Sequence, residues 1–247
     1  MRKLGWTLML AAILAGSVQG AGAQGAGVTD KKAEVVALEA KGDKAQLKKD
    51  FALAVAYYSK ALKNDRENAV LYNKLGIAEL RMDNHGQARK NFSKSLKYDP
   101  NYFTAMNNLG VVDILDKRYK QAVVSLKQAL ALDEENAHTH VNLAEAWMGL
   151  GEVARAMTEY TRALQLDADV LSSGEGGAQA QVYTTEQRAR IDFLIAKLFV
   201  QRNNLGSALE YLSRAKEMNY PDLHQVYSDQ AFAPLWNDPR LAKIVKK

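Results

Sequence analysis

The 247-residue chain has no cysteine and only four prolines. Without thiols there is no disulfide, no thiolate nucleophile and no cysteine-based metal site, so packing alone must hold the fold. Alternating Val/Ile/Thr runs that would mark strands are almost absent, and so few prolines leave long helices uninterrupted. Histidine is also scarce. None of His85, His138, His140 and His224 has an i, i+4 partner of the kind a helical zinc site uses, and His138 and His140, two apart, point to different helix faces. The chain has no G-x-S-x-G elbow and no G-x-x-x-x-G-K phosphate loop, and the glycines at Gly174, Gly176 and Gly177 follow no strand. No catalytic residue, cofactor or metal is therefore expected, and an enzyme has no feature to motivate it.

Long apolar runs are lacking too, with one exception at the start. Met1-Arg2-Lys3 is basic, Leu4 to Ala15 is apolar, and Ala21-Gly22-Ala23 offers a small-x-small cleavage site. This three-part pattern predicts a signal peptide over 1–23. The apolar run is shorter than the ~20 residues needed to cross a bilayer, so no membrane span is expected after cleavage. An exported protein, periplasmic or secreted, follows. Removing 1–23 takes away Arg2 and Lys3 and no acid, which lowers the formal charge from +5 to +3. That balance is too mild to point to nucleic acid.

What the chain has instead is a repeat. Ala54, Ala88, Ala122 and Ala156 stand 34 apart, as do Leu62, Leu96, Leu130 and Leu164, and Asp65, Asp99, Asp133 and Asp167. Gly42, Gly76 and Gly110 form a fourth column, continued by Ala144. Each unit reads as two amphipathic helices joined by a polar turn, the turn of the fourth unit marked by Gly151. Such register over four units is the signature of a helical solenoid.

The units resemble the tetratricopeptide repeat. The small residues at Gly42, Gly76, Gly110 and Ala144, and at Ala54, Ala88, Ala122 and Ala156, match the places where that family's paired helices cross. Tyr58, Phe92, Leu126 and Tyr160 match its large fillers. Glu79 and Asp113 depart from it where Trp147 keeps the usual aromatic, and the family's terminal proline appears only at Pro100. The fold class implied is all-α, a right-handed solenoid of five helix pairs with a C-terminal helical cap. Its parts are a flexible lead-in at 24–32, with Thr29 or Asp30 capping the first helix, and four contiguous repeats within 33–170, at about 35–68, 69–102, 103–136 and 137–170. A Gly/Ser-rich insertion at 171–184 then breaks the period. A fifth, divergent repeat at 185–220 starts on a Thr184-x-x-Gln187 capping box, displaced from the register of the first four, and a tail at 221–247 covers the last apolar flank.

In this family the first helix of each pair lines the concave side. The resemblance therefore implies a groove lined by Asn73, Lys74 and Arg81 in the second repeat, Asn107 and Asn108 in the third, and His138, Asn142 and Glu145 in the fourth, with Glu39 and Asp43 before them and Arg190, Leu194 and Lys197 after. Asparagine amides in such a groove suit the backbone of an extended peptide, with donors and an acceptor on one group. A clamp for a C-terminal carboxylate is not expected, because Glu39 and Asp43 stand where related arrays carry Lys and Asn. The function implied is a non-catalytic scaffold that binds a peptide or protein segment in the groove. The alternative is a structural or assembly subunit of a cell-envelope complex, acting through its convex face or its ends. Partner and oligomeric state are not legible in the residues.

Overall fold

The computed structural model describes residues 21–171 and 185–246. Residues 1–20 of the expected signal peptide at 1–23, Thr184 and all but the first residue of the insertion lie outside them. Every regular element among the described residues is helical. Five antiparallel pairs follow in order: α1 (Ala21–Leu47) with α2 (Phe51–Asn64), α3 (Ala69–Arg81) with α4 (His85–Tyr98), α5 (Phe103–Leu115) with α6 (Tyr119–Leu132), α7 (Ala137–Gly149) with α8 (Val153–Leu166), and α9 (Thr185–Gln201) with α10 (Leu205–Glu217). Two 3-10 turns, Leu223–Tyr227 and Gln230–Leu235, and a short α11 (Pro239–Ile244) complete the chain. One expectation needs correction: α1 already runs through 24–32, so that segment is helix rather than a flexible lead-in, and neither Thr29 nor Asp30 starts it. No proline falls there, and Gly25 and Gly27 weaken a helix by about 1 kcal/mol each without ending it.

The glycine and alanine columns lie where the helices of a pair cross. A Cβ on Gly42 would stand 2.4 Å from the Tyr58 ring, one on Gly76 2.5 Å from Phe92, and one on Gly110 2.5 Å from Leu126. Tyr58, Phe92 and Leu126 are fully buried, as are Ala54, Ala88, Ala122 and Ala156. Each second helix thus sinks one large side chain into the notch that the glycine leaves, which brings the two backbones close.

The turns repeat as faithfully as the core. Lys49, Asp83, Lys117 and Gly151 all have φ between 58° and 78°, again 34 apart. Asn203 adopts the same conformation in the fifth pair, further along the chain than the period alone would put it. At each of them the next N–H reaches back to the closing turn of the first helix, as from Arg118 to the Asp113 carbonyl (2.7 Å) and from Asn204 to the Phe199 carbonyl (2.9 Å). This closes the first helix with a left-handed residue, which costs a side-chain-bearing residue about 1–2 kcal/mol. Lys117→Gly is accordingly expected to raise stability by about 1 kcal/mol, and a thermal melt no higher than wild type would count against that account.

Between repeats, two members of the aspartate column act as latches. Asp65 and Asp133 accept from the side-chain amides of Asn68 and Asn136 (2.8 and 3.3 Å), which in turn cap α3 and α7 by accepting from Leu71 N and Thr139 N. First helices of successive pairs touch, α3 with α5 and α5 with α7, and no two second helices touch to that degree among the described residues. The stack therefore curves with its first helices on the inside. At the far end Phe232, Leu235 and Leu241 are fully buried, Phe232 packing on Phe193 of α9, and the Trp236 indole donates to the Val226 carbonyl (2.8 Å). Phe232 thus seats the tail on the last pair, while Trp236 ties two segments of the tail together.

Candidate functional site

The inner face is built from α3, α5 and α7, whose register carries the predicted residues toward one another. Asn108 donates through Nδ2 to Asn73 Oδ1 (3.0 Å), and Asn142 donates through Nδ2 to Asn107 Oδ1 (3.0 Å). Thr139 donates to the same Asn107 oxygen (3.1 Å), a contact no sequence column announces. Two amide pairs thus bridge consecutive repeats, each joining positions 35 apart. Asn73 and Asn142 are buried, whereas Asn107 and Asn108 are half-exposed. Among the described residues Asn107 Nδ2 and Asn108 Oδ1 have no partner, so a donor and an acceptor stand side by side on the groove surface.

The remaining predicted residues divide. Lys74 is occupied, because it bonds Glu39 (2.7 Å) and Asp43 (2.8 Å) of the first repeat, and Asp43 also accepts from the Tyr58 hydroxyl (2.8 Å). Burial, together with that carboxylate, pushes the Tyr58 phenol well above its usual range, so the tyrosine keeps its proton. A lysine tied to two carboxylates has little charge to offer a ligand, which removes the chief cation a carboxylate clamp would need here. His138 is exposed one turn before Asn142 on the same face of α7, and Glu145, one turn after Asn142, is wholly buried. Arg81 is exposed at the end of α3, about two turns and ~12 Å along the helix from Asn73.

Glu79 and Asp113, which depart from the repeat pattern, have separate polar partners. Glu79 accepts from the Asn84 amide (2.9 Å). Asp113 is buried on α5 and accepts from Arg89 of the preceding repeat through Nε (3.1 Å) and Nη2 (2.9 Å), with Arg118 at 3.5 Å. Asp116 takes the other side of Arg89 (2.6 Å) and His85 (2.6 Å). His140 is likewise internal, with Nδ1 2.7 Å from Glu159. A second buried carboxylate, Asp192 of α9, faces Arg214 of α10 (3.2 Å), and burial pushes it up to about 6 against the pull of Arg214 and Arg188. Each of these groups joins one helix to another rather than facing a shared cavity. Among the described residues no three His, Asp or Glu side chains gather as metal ligands, and no helix is long and apolar enough to cross a membrane.

At the break in period, α8 and α9 diverge and leave an open cleft of about 690 Å³, lined among others by Met157, Arg162, Gln165, Leu194, Lys197 and Gln201. Leu194 and Lys197, expected in the groove of the fifth repeat, therefore line this cleft, with Lys197 held by Asp229 of the tail (2.7 Å).

Comparison with known proteins agrees with this architecture. Two family models, each described as tetratricopeptide repeat, match residues 67–135 and 113–173. No curated protein matches the sequence significantly. Among solved structures, MamA from residue 41 on, of Desulfovibrio magneticus RS-1, is 18% identical with a TM-score of 0.55, over 75% of this chain and 95% of its own. A further crystal structure of MamA is 20% identical at a TM-score of 0.54, over 80% and 96%. YrrB, described as a repeat protein with an unusual peptide-binding site, is 17% identical at 0.53, over 85% and 98%. At these identities the likeness is one of fold.

Proposed function

We propose, from the match of residues 67–173 to tetratricopeptide repeat models, that the chain is a non-catalytic scaffold holding an extended peptide or protein segment along its first-helix groove. Stacked helical repeats of this kind form extended concave binding surfaces. The observation that carries the reading is the pair of amide bridges across α3, α5 and α7. The bridges fix the rotamers of Asn107 and Asn108, so a ligand need not spend entropy to order them. The vacant Asn107 donor and Asn108 acceptor match the C=O and N–H of a backbone whatever its side chains.

The test is capture of partners from native extract by cross-linking. Asn107→Ala with Asn108→Ala is expected to lower the yield of the partner about tenfold, the loss of two hydrogen bonds of about 0.5–1.5 kcal/mol each. The variant leaves the buried Asn73, Thr139 and Asn142 without these partners, so its helical content is measured alongside and capture is compared on the folded protein. Undiminished capture by a folded variant would sink the proposal.

A further inference from the structure

The second helices carry a charge asymmetry that the chain as a whole does not. The sequence holds 33 basic and 28 acidic residues. Yet α2, α4 and α6 contain no aspartate or glutamate between them, while they contain Lys60, Lys63, Arg89, Lys90, Lys94, Lys97, Lys120 and Lys127. The carboxylates of these three repeats sit on the first helices and in the turns, where Asp65 and Asp133 latch the caps and Asp113 and Asp116 hold Arg89. Arg89 is thus turned inward. Of the seven lysines only Lys60 has a carboxylate within ion-pair distance among the described residues, a long one to Glu34 (3.8 Å). Lys90 and Lys97 on α4, and Lys120 with Val124 on α6, occupy an outward stripe at helical spacing, opposite the buried Ala88, Phe92, Ala122 and Leu126. Exposed apolar side chains interrupt the lysines, namely Leu53 (42% exposed), Val124 (58%) and Leu132 (47%).

We propose that this outer face of the first three repeats docks on an anionic phospholipid surface, leaving the inner groove turned away from the bilayer. The chemistry favours lipid over a protein partner. Specific protein interfaces are depleted in lysine and use arginine to clamp carboxylates, whereas every outward cation here is lysine. A mobile array of headgroups needs only diffuse positive charge, and the scattered Leu and Val side chains can enter the headgroup boundary. The proposal is independent of the groove reading, since no residue is shared between the two faces.

The experiment is partitioning of the full chain onto vesicles of phosphatidylcholine alone and of phosphatidylcholine mixed with phosphatidylglycerol. The quantity read is the ratio of the two, because the apolar run at Leu4–Ala15 would act on both. Each lysine near such a surface contributes about a fivefold factor in partitioning. Lys90→Gln, Lys97→Gln and Lys120→Gln together are therefore expected to lower the ratio at least about tenfold. Lys31→Gln, Lys44→Gln and Arg202→Gln, exposed but off this face, should leave it unchanged. Added salt should reproduce the loss. A wild-type ratio of one, or a folded triple variant indistinguishable from wild type, would overturn the proposal. So would retention on an acidic polypeptide or a nucleic acid, but not on vesicles, that the same three substitutions abolish.

Discussion

Gly76→Val is expected to destabilise the array by about 3 kcal/mol, the upper end of what overpacking a core ordinarily costs. A Cβ there would stand 2.5 Å from Phe92 Cε1, 2.7 Å from Cδ1 and 3.0 Å from Cζ. Phe92 is fully buried and cannot swing away, so the strain must pass into the spacing of α3 and α4. A solenoid transmits that strain to its neighbours only, here the first and third repeats, and the fourth and fifth repeats should keep their helical signal longest on heating. Gly86 provides the contrast: a Cβ there meets nothing within 4 Å, and Gly86→Ala in the first turn of α4 should be neutral or stabilising by up to about 1 kcal/mol. Equal melting temperatures for the two variants would mean that the Gly76 notch does not govern helix spacing.

Arg89→Met is expected to cost about 3–5 kcal/mol, the penalty for leaving a buried charge without its partner. Arg89 is the hinge pin between the second and third repeats, reaching Asp113 and Asp116 together. Burial already raises the Asp113 carboxyl above its ordinary value against the pull of Arg89 and Arg118. Burial works the same way at Asp116 but is outweighed by the hydrogen bonds of Arg89 and His85, which hold that group low. The two carboxylates therefore report in opposite directions. A low folded value at Asp116 means stability present at neutral pH and lost as the pH falls through it. Without Arg89 the Asp113 carboxyl moves higher still, so the variant should lose stability as the pH rises from the ordinary carboxylate range and recover part of it on acidification. Arg89→Met with Asp113→Leu removes the arginine and its buried carboxylate, leaving Asp116 part-exposed and beside His85, and denaturant titration should place it within about 1 kcal/mol of wild type. A double variant as unstable as Arg89→Met alone would show that the arginine acts through its packing rather than its charge.

Both predictions fall on residues the sequence treats unequally. Gly76 and Phe92 stand in columns that recur once per unit, and their role was legible because a solenoid repeats the same local contact in every unit, so one notch and its filler recur at one spacing. The first four helix pairs were legible for the same reason, whereas the displaced fifth pair and the tail were read from their own helical spacing and apolar faces. Asp113 announced itself only as a departure from the column that Trp147 keeps. Its partner, Arg89, lies 24 residues back on a different helix, at a place where the other repeats carry Val55, Val123 and Met157.

The sequence by itself determined the class of object: paired helices, their register, which faces are apolar, and which first-helix side chains are candidates for the inner face. The tertiary structure alone decided what those side chains do. It joined Asn108 to Asn73 and Asn142 to Asn107, tied Lys74 to the first repeat, carried α1 through its glycines and placed Leu194 and Lys197 beside α8. The division has a physical cause. Burial follows from periodicity, which each helix carries in its own residues, whereas a polar side chain takes whichever partner the curvature of the stack brings within about 3 Å, and that curvature is a property of the packed array.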